Sequence, residues 1–181
     1  MTNGEYYWRV RKELITEEEI KTGIKNLAFY LGSLDTQPLL LVGILKGSFV
    51  FLADLIRELG VPCEVDFMEV KSYYNDTKSS GKISITKDLK KDIKDYHVVI
   101  VEDIIDTGRT INHVKRVLNS RNPKSIRVVT LLDKPSRREV DIKPDKSIFT
   151  IGDVFVVGYG LDYDEQYRNL PYIAELDSSA L

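Results

Sequence analysis

Hydrophobic positions along the chain fall into continuous runs of strand length and into stripes at helical spacing. Residues 38–45 (PLLLVGIL) and 97–101 (HVVIV) are almost wholly apolar, which is typical of strands covered on both faces of a sheet. Residues 125–132 (SIRVVTLL) and 154–161 (VFVVGYGL) predict two further strands. These runs together predict a buried sheet.

Helical stripes lie between the strands. A capping box formed by Thr16 and Glu19 opens the first helix, and apolar residues follow at helical spacing: Ile20, Ile24, Leu27, Leu31 and Leu34. Residues 48–60 predict a second helix that stops at Gly60, with the stripe Leu52, Leu55, Ile56 and Leu59. Residues 110–121 predict a third helix, with the stripe Ile111, Val114, Val117 and Leu118.

The order of these elements predicts an α/β protein. Strand–helix–strand units favour a twisted, mainly parallel sheet with helices on both faces. Residues 64–70 and 82–89 alternate only partly, like half-exposed strands, and the polar segment between them is expected to form a mobile lid at about 71–82. In such sheets ligands bind beyond the carboxyl ends of the strands.

Composition narrows the class of protein. A chain of 181 residues with 43% hydrophobic and 30% charged residues favours one globular domain. The net charge of −2 gives no indication of nucleic acid or of an anionic membrane as a partner. Cys63 is the single cysteine, which fits a reducing compartment and is read as a small buried hydrophobe. Without a signal peptide or a membrane-length apolar run, the protein is predicted to be cytoplasmic.

Three acids and a glycine turn follow the apolar run at 98–101. Glu102 and Asp103 come directly after it, and Asp106 precedes the turn Thr107–Thr110, which opens the third helix. Capping of that helix could explain Asp106, and the other two acids could be solvated. Two successive acids at a strand end nevertheless repel each other, and a glycine turn at a helix start suits a phosphate. Together they indicate a phosphorylated sugar.

The stretch VVIVEDIIDTGRT, residues 98–110, resembles the signature of the type I phosphoribosyltransferases, which bind phosphoribosyl pyrophosphate. The resemblance implies Glu102 and Asp103 at the ribose 2- and 3-hydroxyls, with Asp106 near the purine N7 as general base. It implies a 5-phosphate surrounded by Asp106, Thr107, Gly108, Arg109 and Thr110. Arg109 stands where lysine is common in that family, and we expect little consequence because backbone amides bind the phosphate.

GILKGSFVF, residues 43–51, resembles the pyrophosphate loop of the hypoxanthine-guanine phosphoribosyltransferases. Taken alone, Lys-Gly after a strand is an ordinary surface turn. The resemblance implies a cis peptide bond between Leu45 and Lys46, with the amides of Lys46 and Gly47 directed at pyrophosphate. VKSYYNDTKSSGK, residues 70–82, matches the lid of that family, with Ser72 and Tyr73 closing over pyrophosphate.

TLLDKPSRR, residues 130–138, places Lys134 just after a strand. Most lysines are solvated, but in the family the matching lysine donates to the purine O6. An ammonium group has donors and no acceptor, so it favours a 6-oxo over a 6-amino purine.

VFVVGYGLDYDEQYRNL, residues 154–170, completes the resemblance. It implies that Phe155 stacks on the purine and that the backbone of Val156 reads the N1/N2 edge, although periodicity alone favours Phe155 as a core aromatic. Arg168 is implied at pyrophosphate. Asp162 is implied at the purine and at a magnesium ion, and the predicted metal-binding residues are Glu102, Asp103 and Asp162.

The resemblance implies a purine-salvage transferase that uses Mg²⁺, phosphoribosyl pyrophosphate and a 6-oxopurine. It implies a single domain over 1–181, with a core at about 36–150 and a small hood from about 1–15 and 151–181. We expect a homodimer or homotetramer. Backbone geometry at the purine edge decides whether xanthine is accepted.

Two other classes stay open. Some proteins of this fold are regulators that bind DNA or RNA, but such a regulator usually needs a basic face or an added DNA-binding domain. Neither is expected from this sequence. Adenine and pyrimidine phosphoribosyltransferases are nearer rivals, and Lys134 together with residues 154–168 argues against both.

Overall fold

The computed structural model describes residues 9–73 and 82–177, and within them the chain forms three α-helices and nine strands. The helices are α1 (Glu17–Gly32), α2 (Phe49–Glu58) and α3 (Arg109–Asn119). The strands are β1 (Val10–Ile15), β2 (Leu39–Leu45), β3 (Glu64–Tyr73), β4 (Lys82–Lys87), β5 (His97–Ile105), β6 (Ser125–Asp133), β7 (Lys146–Thr150), β8 (Val156–Val157) and β9 (Ile173–Leu176). A 3₁₀ turn, Pro135–Arg137, follows β6.

Six strands form the main sheet in the order β4-β3-β2-β5-β6-β7. All neighbours from β3 to β7 are parallel, and β4 pairs antiparallel with β3. At the centre, Leu41 of β2 is aligned with Val65 of β3 on one side and with Val99 of β5 on the other. The predicted mainly parallel sheet is therefore confirmed.

Alternate residues of the central strands enter two separate cores. On one face of the sheet Leu41 and Val101 pack with the buried residues of α1 and α2, and Cys63 packs partly buried against this core. On the other face Leu40 and Ile100 pack with the buried residues of α3. The prediction of helices on both faces is therefore confirmed. Since both faces of these central strands are covered by helices, both must be apolar.

Helix α1 begins with the predicted capping box. The side chain of Thr16 accepts from the amide of Glu19 at 3.2 Å, and the Glu19 carboxylate accepts from the amide of Thr16 at 2.8 Å. Helix α2 ends at Glu58 rather than at Gly60, because Leu59 already adopts an extended backbone. Within residues 9–73 and 82–177, no helix is both long enough and apolar enough to span a membrane.

A second sheet joins segments near the two ends of the described chain. Its order is β1-β9-β8, and both pairings are antiparallel. It has a small core of its own, which consists of Val157, Tyr167, Leu170, Ala174 and Leu176. This sheet corresponds to the predicted hood, whereas the residue boundaries proposed for core and hood stay a prediction.

The strand prediction for residues 154–161 is wrong over most of its length, because only Val156–Val157 is a strand. The φ angles of Gly158, Tyr159 and Gly160 are 98°, 51° and 99°, so the chain turns away from the sheet. A hydrophobic run cannot distinguish a buried strand from a buried turn. For a related reason β1, β7 and β9 were not predicted, since each is short or only partly apolar.

We expect Phe51→Ala to lower the free energy of unfolding by about 3–5 kcal/mol, because this ring of α2 is fully buried against the sheet. Phe29→Ala is the matched control, because the Phe29 ring on α1 is 81% exposed. Its effect should stay within about 0.5 kcal/mol. Urea unfolding followed by circular dichroism measures both variants, and equal losses would contradict this packing.

Candidate active site

Four segments meet beyond the carboxyl ends of β2, β5 and β6. Close contacts between their backbones and side chains join them pairwise. The segments are residues 45–48, 102–110, 133–138 and 154–168. This is the edge at which a parallel sheet is expected to bind ligands.

Glu102 lies inside strand β5 and is buried, with 8% of its surface exposed. Its Oε2 atom is buried without a hydrogen-bond partner. Burial, and to a smaller extent the neighbouring Asp103 carboxylate, raise the pKa of Glu102 well above its usual value. The alternative that Glu102 is a solvated loop acid is therefore wrong.

Asp103 lies directly against the turn that follows β2. A Cβ atom on Gly47 would lie 1.5 Å from Oδ2 of Asp103, so only glycine permits this approach. The other carboxylate oxygen, Oδ1, accepts from the Ile104 amide at 2.6 Å. Burial raises the pKa of Asp103 to about 6, although that hydrogen bond and the positive charge of Arg168 favour the ionised form. The ends of β2 and β5 thus meet at a carboxylate.

The turn at the start of α3 depends on Gly108. Its φ of +80° is left-handed, and a Cβ there would lie 2.6 Å from the side chain of Ile142 and 2.9 Å from that of Arg138. Gly108 is the N-cap residue of α3 and has no side chain to cap the first amides, and the first turn holds no acid. The Arg109 amide donates to the hydroxyl of Thr107 at 3.4 Å, a long hydrogen bond. Exposed helix amides of this kind attract anions.

Residues of the segment after β6 contact this turn through hydrogen bonds and ion pairs. Arg138 donates to the carbonyl of Asp106 at 2.8 Å and forms an ion pair with Asp133. Arg109 pairs with Glu139 at 2.6 Å, so its side chain is directed at a neighbouring loop.

Asp106 is half-buried, and its Oδ1 atom makes no hydrogen bond. The nearest cation is Arg137, whose Nε lies 3.4 Å from that oxygen and whose Nη1 lies 3.6 Å from Asp153. These separations describe an ion pair that is too long or too poorly aligned for a hydrogen bond. Asp106 therefore keeps acceptor capacity for another partner.

Lys134 is buried, with 7% of its surface exposed. Its ammonium donates to the carbonyl of Val154 at 2.5 Å. Burial lowers the pKa of Lys134, and the nearby carboxylates of Asp106 and Asp153 act in the opposite direction. Lys134 is thus not the ordinary solvated lysine that its sequence position also allowed.

The turn after β2 has the expected backbone. The peptide bond between Leu45 and Lys46 is cis, as the resemblance implied. The ammonium of Lys46 pairs with Glu165 at 3.0 Å, which joins this turn to the loop after β8.

Asp162 and Arg168 lie together on the loop after β8. Arg168 pairs with Asp162 at 2.9 Å and donates to the carbonyl of Gly160 at 2.8 Å, while its Nε atom is buried without a hydrogen-bond partner. A Cβ on Gly160 would lie 2.2 Å from the carbonyl oxygen of Gly47. This loop therefore packs directly on the turn after β2.

Phe155 and Val156 occupy contrasting positions at the start of β8. The ring of Phe155 is 40% exposed, so the alternative of a core aromatic is wrong, whereas Val156 is buried. An exposed aromatic face beside a buried lysine suits a flat, polar-edged ligand.

Ser72 and Tyr73 end strand β3, where their backbones pair with Ile83 and Lys82. The structure describes the backbones of these two residues but not their side chains, so their predicted contact with pyrophosphate stays a prediction. Most of the predicted lid at about 71–82 also lies outside the described residues.

No three His, Cys, Asp or Glu side chains of residues 9–73 and 82–177 are close enough to hold a metal by themselves. Magnesium often takes only one or two carboxylates and completes its shell with water and substrate oxygens. The unpartnered oxygen of Glu102 and the adjacent Asp103 carboxylate are donors of that type. The site fits magnesium shared with a substrate.

Sequence reasoning missed Arg137, Arg138 and the buried Tyr159. The hydroxyl of Tyr159 donates to Asp54 of α2, and burial, followed by that hydrogen bond, raises the pKa of Tyr159. The two arginines lie three and four residues after Lys134 in TLLDKPSRR, and this local cationic cluster was the available signal. Tyr159 gave none, because its partner is distant in sequence.

Comparisons with known proteins agree with this geometry. Residues 12–164 match the family described as phosphoribosyl transferase domain. The chain is 50% identical over 169 residues to the hypoxanthine-guanine phosphoribosyltransferase of Bacillus subtilis. The matched residues cover 92% of this chain and 93% of the relative. The chain is 48% identical over 166 residues to the hypoxanthine phosphoribosyltransferase of Salmonella typhimurium, covering 90% and 93%.

A solved structure extends the similarity to three dimensions. The hypoxanthine phosphoribosyltransferase of Staphylococcus aureus superposes with a TM-score of 0.93 at 43% identity, covering 99% of this chain and 98% of that one. The similarity in sequence and in fold spans both sheets and the four segments of the site. The chain therefore belongs to the phosphoribosyl transferase domain family, within its hypoxanthine-guanine phosphoribosyltransferases.

Proposed function

We propose that the protein transfers the 5-phosphoribosyl group of phosphoribosyl pyrophosphate to N9 of hypoxanthine or guanine, a purine-salvage reaction. The bond from ribose C1 to pyrophosphate breaks, the C1–N9 bond forms, and IMP or GMP is released with pyrophosphate. The observation that carries the proposal is the buried Glu102 and the adjacent, partly buried Asp103 beside the start of α3. That arrangement provides acceptors for sugar hydroxyls next to a phosphate site.

The 5-phosphate is assigned to the turn Asp106–Thr110. Its support is the left-handed Gly108, which directs the chain into α3 and supplies no capping side chain of its own to the first helical amides. Backbone amides and the dipole of α3 then bind the anion, with the hydroxyls of Thr107 and Thr110 beside it. The Arg109 side chain pairs with Glu139 and contributes little.

The ribose hydroxyls and a magnesium ion are assigned to Glu102 and Asp103, with Asp162 as a further ligand, directly or through water. When bound, the ion neutralises negative charge on pyrophosphate as it leaves. The carboxylates themselves hold the sugar in place and fix the direction from which C1 is approached.

Pyrophosphate is assigned to Lys46, Gly47 and Arg168, with Ser72 and Tyr73 closing over it. The free Nε of Arg168 and the planar fork of its side chain support this role, because paired phosphate oxygens match that geometry. Positive charge placed where negative charge builds up stabilises the transition state.

The purine is assigned to the space between Phe155 and Lys134. Phe155 offers an exposed ring for stacking, Lys134 donates to O6, and the backbone of Val156 and the nearby Asp162 read the opposite edge. Because Lys134 is fixed by the Val154 carbonyl, its remaining N–H donors point in set directions. Asp106 accepts the proton that the purine loses, since its Oδ1 has no hydrogen-bond donor in the protein.

The decisive assay offers five bases separately, each with phosphoribosyl pyrophosphate and magnesium: hypoxanthine, guanine, xanthine, adenine and uracil. Release of pyrophosphate with hypoxanthine or guanine supports the proposal, and xanthine reports on the geometry at Val156 and Asp162. Turnover of only adenine or only uracil would assign the protein to another branch of the family. Turnover of none would favour a regulator that senses phosphoribosyl pyrophosphate.

A homodimer or homotetramer and a cytoplasmic location are parts of the same proposal. Their support is the family membership and the single cysteine, Cys63. Light scattering of the purified protein measures the assembly.

We expect Asp106→Asn to lower kcat about 10²–10⁴-fold with a modest change in KM for either substrate, because the amide cannot take a proton. Steady-state rates with hypoxanthine measure the loss. Asp141→Asn, at an exposed position outside the site, is the control. Full turnover of the Asp106 variant would show that another group is the base.

We expect Lys134→Gln to raise KM for hypoxanthine about 10–100-fold, because a hydrogen bond from a charged group is lost. It should also increase the use of adenine relative to hypoxanthine, since an amide oxygen can accept from a 6-amino group. Lys143→Gln, at an exposed lysine, is the matched control. An unchanged ratio of the two bases would remove Lys134 from base selection.

We expect removal of divalent ions with a chelator to lower turnover at least about 100-fold, because charge on the leaving pyrophosphate is then not neutralised. Added magnesium should restore the rate, and the melting temperature should hardly change, since the described residues form no metal cage of their own. Persistent turnover in excess chelator would contradict the metal assignment and leave the transfer reaction itself intact.

A further inference from the structure

The purine-stacking ring needs a support that the assigned contacts do not provide. Phe155 is 40% exposed and directly precedes the short strand β8. An exposed side chain loses rotamer freedom when a ligand stacks on it, and this loss reduces affinity. A neighbour that holds the ring in its bound orientation removes that cost.

Tyr163 is such a neighbour. Its ring centroid lies 5.8 Å from that of Phe155, and the two ring planes are perpendicular at 90°. Perpendicular aromatic pairs at this separation are attractive because the positive edge of one ring meets the negative face of the other. The contact therefore favours one orientation of Phe155.

The position of Tyr163 is itself fixed. Its N–H donates to the carbonyl of Gln166 at 3.2 Å, and the Gln166 N–H donates back at 3.0 Å. Between them Asp164 and Glu165 have φ angles of 51° and 60°, which form a tight two-residue turn of the I′ kind.

Two side-chain contacts add to this support. The guanidinium carbon of Arg9 lies 5.5 Å from the centre of the Tyr163 ring, within the range of a cation–π interaction. The ring is also partly buried against the core of the small sheet. Tyr163 is thus held by its backbone, by a cation and by packing.

We propose that Tyr163 is a positioning residue that holds Phe155 for purine stacking, and so sets affinity for the base without contacting it. This inference rests on the proposed function, because it assumes that a purine stacks on Phe155. The role proposed for Tyr163 differs from that of its neighbour Asp162, which is assigned to direct contact with the ligand.

The test compares Tyr163→Leu with Tyr163→Phe. Loss of the ring should raise KM for hypoxanthine about 3–10-fold, the range that corresponds to one aromatic pair, with KM for phosphoribosyl pyrophosphate within about twofold of wild type. Tyr163→Phe keeps the ring and should restore wild-type KM within about twofold. Tyr163→Met, which fills similar space, replaces the leucine variant if that variant does not fold.

Two controls separate positioning from general damage. Tyr172→Leu removes another partly buried tyrosine packed on the same small core, and should leave KM for hypoxanthine within about twofold. Calorimetric titration should show weaker binding of GMP to Tyr163→Leu but unchanged binding of ribose 5-phosphate, which has no base. In a Phe155→Leu background, Tyr163→Leu should add less than about twofold, because the ring that it holds is absent.

The outcomes distinguish the inference from the proposed function. If the wild-type protein turns over no purine, the proposed function fails. If it turns over hypoxanthine but Tyr163→Leu matches Tyr163→Phe, or weakens both substrates equally, the positioning role is wrong. Additive effects of the Phe155 and Tyr163 changes would also overturn it.

Discussion

Glu102 is buried inside β5 and its neighbour Asp103 is partly buried, and placing two such carboxylates away from water costs free energy unless donors or a cation pair with them. Glu102 has one oxygen without any partner, and burial raises the pKa of Asp103 to about 6. The strand cannot move away, because it is hydrogen-bonded to β2 on one side and β6 on the other. The folded protein therefore keeps a carboxylate oxygen without a partner, and the sugar hydroxyls and the cation of the proposed function would provide one.

Glycines make the close arrangement possible. Gly47 lets the Asp103 carboxylate lie on the backbone of the turn after β2, and Gly160 lets the loop after β8 lie on the same turn. Side chains then join the remaining segments, as in the hydrogen bond from Lys134 to the Val154 carbonyl and the contact between Tyr163 and Phe155. Groups assigned to pyrophosphate, sugar and purine thus share one rigid edge of the sheet, which pre-organises them for a single substrate complex.

Most of the fold was predictable because its signals are local. The continuous apolar runs at 38–45 and 97–101 lie in central parallel strands, and the capping box at Thr16 starts α1. The prediction of a strand at residues 154–161 was wrong for a physical reason. Residues 156–161 are buried as a strand would be, but positive φ angles at Gly158, Tyr159 and Gly160 fold them into a turn that packs on a distant loop.

The sequence by itself determined which chemical groups stand in the last part of β5 and directly after β6, because Glu102, Asp103 and Lys134 belong to contiguous motifs. The cis bond before Lys46 followed from resemblance alone, and the structure has it. Only the tertiary structure decided that Glu102 and Lys134 are buried, that Arg137 faces Asp106 and that the ring of Tyr163 packs against Phe155. Burial and pairing of this kind depend on contacts between residues far apart in the chain, and no local pattern records which distant side chain will be there.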